Sequence, residues 1–181
     1  MWRVMNREKS TLEVFDFDWT LFRSPIPASI TAIKTFLHSP ESLEPPHVPW
    51  TPGGDFWIDR TVLEFKRSQQ NKNSITILLT ARRAKTGDRI LDLIQKKGLR
   101  PDYAFFRSAS YHKDKDRVYF KRKTISEFLD RHPTISKIII WEDEPEQLES
   151  FQDLARRRRI KFEGHLIREP RSPFAGITWQ A

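Results

Sequence analysis

Apolar residues gather in short runs along this chain, and polar residues fill the intervals. Residues 12–17, LEVFDF, are rich in β-formers and predict a buried strand. SITILLT at 74–80 and KIIIWE at 137–142 predict two more strong strands, and YAFF at 103–106 and IKFEGHLI at 160–167 two weaker ones. In between, the apolar positions change to helical spacing over 27–38, 58–70, 86–97 (closed by Gly98), 124–131 and 145–158. Strands alternating with helices predict an α/β fold, a parallel sheet covered by helices on both faces. Residues 39–57, SPESLEPPHVPWTPGGDFW, fit neither period. They are dense in proline, contain Gly53 and Gly54, and are too many for a simple connection. Trp50 and Trp57 predict that this stretch is an ordered covering flap.

The 181 residues suit one domain, 1–181, with the flap as a small insertion over about 23–73. No apolar run approaches the roughly 20 residues of a membrane helix, and MWRVMNREKS lacks the apolar core of a signal peptide. The expected setting is therefore intracellular, cytoplasmic or nuclear, with no secretion and no membrane. The absence of cysteine excludes disulfides and thiolate metal sites. A net charge of +8 favours acidic partners such as nucleic acid or phosphorylated ligands.

The three strong strands end in polar groups: Asp16 and Asp18, Thr80, and Glu142 with Asp143. In an open parallel sheet, ligands bind beyond the carboxyl ends of the strands, so these groups could share one site. A lone Asp-x-Asp often marks only a turn. Two later strands ending in suitable polar groups make coincidence a poorer account. Glu146 reads as the first turn of an exposed helix, where a negative charge suits the dipole.

These segments resemble a known superfamily. DFDWTLF is similar to the Asp-x-Asp-x-Thr motif of the haloacid dehalogenase (HAD) phosphatases. ITILLTAR resembles their second motif, YFKRKTISEFL the third, and IIIWEDEPEQLESF the fourth, all in family order. FDFDWTLFRSPIP, the Trp-rich flap with GGDFW, LLTAR and WEDEPEQLESF further resemble the Swiss Army Knife RNA repair-like branch, over residues 12 to about 151. The implied fold is a HAD-like Rossmannoid sheet flanked by helices, with a small flap and no large cap. Trp19 departs from the family, which has a small or turn-forming residue there. Gln147 stands where the branch often shows histidine, and Ala81 where it often shows glycine.

The resemblance implies a role for each matching residue. Asp16 is the nucleophile that forms an aspartyl-phosphate, and Asp18 the general acid and base. Thr80 offers its hydroxyl to a phosphoryl oxygen. Lys121 supplies positive charge, with Lys123 as the competing lysine. Mg²⁺ is held by Asp16, Asp143 and the Asp18 backbone carbonyl, an all-oxygen site. Glu142 supports the metal's water shell or the lysine. Trp19 and Arg82 are candidate substrate contacts.

A small flap leaves the site open to a large phosphorylated substrate, such as a polynucleotide end. The implied activity is Mg²⁺-dependent removal of a 3′-phosphate in RNA or DNA repair. The alternatives are a phosphatase of small metabolites or phosphoproteins, or a non-catalytic nucleic-acid-binding module. The cations of 110–123 and of ARRRRIKF at 155–162 could track a phosphate backbone, above all Arg156 and Arg159, three apart on one helix. They could equally be a solvated helix end.

Overall fold

Strand β1 (Thr11–Phe15) carries large apolar side chains on both of its faces, so it is stable only at the centre of a sheet covered on both sides. It pairs in parallel with β2 (Ser74–Arg83) on one side and β4 (Lys137–Glu142) on the other. Strands β3 (Tyr103–Arg107) and β5 (Lys161–Leu166) complete a five-stranded parallel sheet of order β3-β2-β1-β4-β5. This is the arrangement in a computed structural model of the chain, which describes residues 9–26, 36–108 and 116–169.

Among the described residues the crossovers carry four long helices: α1 (Asp59–Gln70), α2 (Gly87–Lys96), α3 (Asp116–Arg131) and α4 (Pro145–Arg158). The two-residue period of the strands divides the core. Leu12 and Val14 join Ile77, Leu79, Ile138 and Ile140 under Phe128, Phe151 and Leu154 of α3 and α4. Phe15, Leu78 and Trp141 point the other way, under Val62 and Phe65 of α1 and Leu93 of α2. There Phe15 stacks on Trp141, with ring centroids 4.3 Å apart. Each fully buried large side chain contributes about 1.5–3 kcal/mol through removal from water.

The pattern and the structure differ in two places. Helix α3 begins at Asp116, well before Thr124. Its first two turns carry Arg117, Lys121, Arg122 and Lys123, and this charge hides the period to which Phe120 belongs. Of the helix predicted over 27–38, residues 27–35 lie outside the described residues, and Phe36 and Leu37 are helical.

Residues 38–57 are ordered, with short 3-10 turns at Pro40–Leu43 and Gly54–Phe56. Leu43, Val48 and Trp57 are buried in the core on the α1–α2 side. Arg89 of α2 pins the segment. It donates to the carbonyls of Leu43 (2.9 Å), Pro49 (2.9 Å) and Trp50 (3.3 Å), and its guanidinium lies 4.8 Å from the ring of Trp50. Trp50 itself is 59% exposed, so its indole is held by this cation rather than by the core. Among the described residues no helix is long and apolar enough to cross a membrane.

Arg89→Ala removes all three carbonyl contacts at once. Urea denaturation should show a loss of about 2–3 kcal/mol, the scale of hydrogen bonds to a charged group. Hydrogen exchange should rise chiefly at residues 43–50. An unchanged exchange pattern there would mean that the flap is held by its apolar side chains alone.

Candidate active site

The register of the sheet brings the acidic residues together. Phe15 lies opposite both Leu78 and Trp141, so Asp16, one step on, sits beside Glu142 at the carboxyl edge of the sheet. Its amide donates to the Trp141 carbonyl at 3.1 Å, which holds the backbone in line just past the strand. The chain then turns sharply, with the amides of Leu21 and Phe22 both donating to the Phe17 carbonyl. Trp19 takes a left-handed conformation in this turn, φ 55°, a strain of about 1–3 kcal/mol for a bulky residue. Its ring forms one wall of the cavity beside Asp18.

Lys121 comes from the second turn of α3 and is almost fully buried. Its ammonium donates to Asp16 Oδ1 at 2.8 Å and to Glu142 Oε2 at 2.7 Å. Glu142 Oε1 accepts the backbone amides of Asp143 and Glu144, so Glu142 fixes both the lysine and the loop after β4. Lys123, two positions on, lies 3.8 Å from Glu127 on the exposed side of the helix. The buried lysine is therefore Lys121.

Asp16, Glu142 and Asp143 each place a carboxylate oxygen within 4.8 Å of the others. Lys121 bonds two of these three carboxylates, Asp16 and Glu142. Burial pushes Asp16 up to about 7 despite Lys121, with Asp143 adding to the rise. Glu142 is raised by burial and by the charge of Asp16. Burial alone would depress Lys121, but Asp16 and Glu142 outweigh it and hold the ammonium above its ordinary range. The all-oxygen donor set fits a small divalent cation such as Mg²⁺.

Asp18 is placed differently. Its carboxylate accepts two bonds from Arg82 Nε, both 2.9 Å, and one from Arg82 Nη2 at 2.8 Å, with Ser24 Oγ also donating to it. Burial works to raise Asp18, but Arg82 outweighs it and holds the carboxyl below the usual range. Arg82 Nη1 meanwhile donates to the Leu37 carbonyl (2.7 Å) and Ser42 Oγ (2.6 Å). Arg82 lines the candidate cavity, and its guanidinium is bonded to Asp18 and to the flap.

Two expectations need correction. Thr80 is fully buried and does not line the cavity; its hydroxyl accepts the Arg82 amide at 3.2 Å. Arg156 and Arg159 are not brought to the site. Helix α4 starts beside Glu142 and runs back along the sheet, so its last turn lies about 20 Å away. Arg156 pairs with Asp153 at 2.7 Å, and Arg159 closes the helix with φ 56°. Of the basic stretch 110–123, residues 110–115 lie outside the described residues.

The cavity over these groups has a volume of about 360 Å³. Its lining also includes Trp19, Leu37, His38, Arg117, Glu144 and Gln147. Arg107 donates to His38 Nε2 at 2.9 Å. Burial, Arg107 and Arg83 depress His38 to about 4, so its ring is neutral at pH 7. Arg117 and His38 have no signal in a spacing pattern; only the fold carries them here. A larger groove of about 680 Å³ runs between α1 and β5, but it holds none of the clustered carboxylates. The chemistry therefore selects the smaller cavity.

A parallel α/β sheet with carboxylates at its central carboxyl edge and a lysine delivered from a crossover helix defines a HAD-like domain. The profile of "HAD domain family 1 in Swiss Army Knife RNA repair proteins" matches residues 33–171, and the chain belongs to this family. The matched span starts after Asp16 and Asp18, whose place rests on the geometry above. No curated protein matches the chain. Two solved structures share the fold. One, of the Pnkp1/Rnl/Hen1 RNA repair complex, superposes with a TM-score of 0.58 at 13% identity, over 87% of this chain and 42% of the other. The second, of a Pnkp1/Rnl/Hen1 complex, gives 0.56 at 15% identity, over 90% and 48%. The chain thus spans less than half the length of either.

Addition of Mg²⁺ to metal-free protein should raise its melting temperature. At a hundredfold excess over Kd the gain is about 2.7 kcal/mol, or roughly 5–10 °C for a chain of this size. Asp143→Asn should shrink the shift measured by scanning fluorimetry. A shift that survives in this variant excludes Asp143 as a ligand.

Proposed function

We propose that the chain is a Mg²⁺-dependent phosphomonoesterase acting on nucleic-acid ends, through an aspartyl-phosphate on Asp16. The reading rests above all on one observation: the Lys121 ammonium bridges Asp16 and Glu142 at 2.8 and 2.7 Å, beside Asp143, at the carboxyl edge of the sheet. Family membership supports the reaction class. The RNA repair proteins in the family's description, and the RNA repair complexes that share the fold, support the substrate class.

In the first step Asp16 Oδ attacks phosphorus, the bond to the leaving oxygen breaks, and that oxygen takes a proton from Asp18. In the second, water attacks the aspartyl-phosphate and gives its proton to Asp18. The Asp16–phosphorus linkage breaks and inorganic phosphate departs. Lys121 orients Asp16 and offsets charge on the phosphoryl oxygens. Asp16, Asp143 and the Asp18 carbonyl would hold Mg²⁺, which supplies positive charge against the repulsion between carboxylate and phosphate. With Arg82 and Ser24 bound, Asp18 is set as the base of the second step. Acting as an acid in the first step requires those bonds to lengthen.

Phosphate release should be measured with Mg²⁺ on 3′-phosphorylated RNA and DNA, 5′-phosphorylated oligonucleotides and sugar phosphates. The 3′-phosphorylated ends should be the preferred substrates. Asp16→Asn should abolish turnover while the protein still melts cooperatively; near-normal activity would rule out the covalent step. Asp18→Asn should slow oligonucleotide turnover by about 10²–10⁴, the usual worth of general acid–base catalysis. It should slow p-nitrophenyl phosphate less, since that leaving group needs little protonation. Equal losses would remove Asp18 from the acid role.

A further inference from the structure

We infer that Arg117 is the residue that recognises a polynucleotide, by binding the phosphodiester next to the terminal phosphate. The inference rests on the phosphatase reading for the identity of the first phosphate and adds the substrate's second contact.

Arg117 stands one helical turn before Lys121, so both side chains leave the same face of α3 with about 5–6 Å between their Cβ atoms. The two cations differ in placement. Lys121 is sealed at the bottom of the cavity against Asp16, whereas Arg117 lines the mouth with its side chain 40% exposed. A ligand with a single phosphoryl group is served by the deeper cation. A second anion one step further out is what the next phosphate of a strand supplies, and it meets the second cation.

The Arg117 side chain is held for this task. Its Nη1 donates to Glu144 Oε1 at 2.9 Å, and the other oxygen of Glu144 accepts Gln147 Nε2 at 2.8 Å. One edge of the guanidinium is thereby anchored to the loop after β4. Its remaining nitrogens make no hydrogen bond among the described residues, and Nε is buried without a partner. Gln147 is 2% exposed and its Oε1 also lacks a partner. With Nη1 fixed, Nη2 is left to donate a charge-assisted hydrogen bond to a phosphate oxygen. The Arg156–Arg159 run, at the far end of α4, cannot do this for the same strand end.

The experiment compares kcat/KM for a 3′-phosphorylated dinucleotide and a nucleoside 3′-monophosphate with the same terminal base. The wild type should favour the dinucleotide by about ten- to a hundredfold, the scale of one charge-assisted hydrogen-bonded contact. Arg117→Gln should bring the ratio close to one, and Arg117→Lys should restore part of it. A wild-type ratio near one, or a ratio unmoved by Arg117→Gln, overturns the inference. If both rates of Arg117→Gln fall together, Arg117 acts only on the shape of the site, and the inference fails too. If wild type releases phosphate from none of the dinucleotide, the monophosphate and p-nitrophenyl phosphate, the phosphatase reading is the one that fails. Arg117 is then judged by fluorescence anisotropy with a fluorescein-labelled, 3′-phosphorylated oligonucleotide. Arg117→Gln should weaken binding and reduce the slope of log affinity against log salt by about 0.7, the share of one phosphate contact to a single strand. Equal affinity and slope would refute the contact.

Discussion

A buried ammonium among carboxylates governs the arrangement of this domain. Lys121 joins α3 to the ends of β1 and β4, because it bonds Asp16 and Glu142 together. Without it, three carboxylates would face one another in a region shielded from water, where removal of one partner of a buried pair costs about 3–5 kcal/mol. Its carboxylates come from the sheet and its cation from a crossover helix. The site therefore exists only when sheet and helix are docked. The core below makes that docking firm: Phe120, Ile125 and Phe128 of α3 pack on the strand face that carries Val14 and Ile140.

A second arginine-centred network links the flap to the same site. Arg82 bonds the Asp18 carboxylate with one edge of its guanidinium and Leu37 and Ser42 with the other. Displacement of the flap near Leu37 must alter the bonds at Asp18, since both use one rigid planar group. Arg23 adds a parallel tie, donating to the carbonyls of Asp55 and Trp57 while pairing with Glu169 at 3.1 Å. The cavity wall formed by Trp19, Leu37 and His38 is thus coupled to the chemistry rather than laid over it.

Much of this was readable before any coordinates. The strands at 12–17, 74–80 and 137–142 announce themselves because a parallel strand buried on both faces is a continuous apolar run. The acidic groups stand out because they interrupt that pattern at its ends. The start of α3 was hidden for the opposite reason: Arg117 and Lys121 face a polar cavity, so the helix carries charge on a face that is not solvent. That Arg82 binds Asp18 is beyond what spacing can say. Arg156 and Arg159 looked like a binding path because a run of cations carries no information about which end of the sheet it occupies. Thr80 sits at the right place in the chain, but it is buried beneath the cavity lining, a matter of depth that spacing does not carry.

The way the flap is fastened has an evolutionary consequence. Arg89 binds the carbonyls of Leu43, Pro49 and Trp50, Lys96 binds Trp50 again, Arg23 binds those of Asp55 and Trp57, and Arg82 binds that of Leu37. Every residue type offers a carbonyl, so these bonds do not specify the side chains of the segment they hold. Between relatives the flap can drift in sequence while its course over the site persists. Selection for that course should fall on the few arginines beneath it. An alignment of the family would then show a proline-rich stretch that varies outside its buried positions, Leu43, Val48 and Trp57.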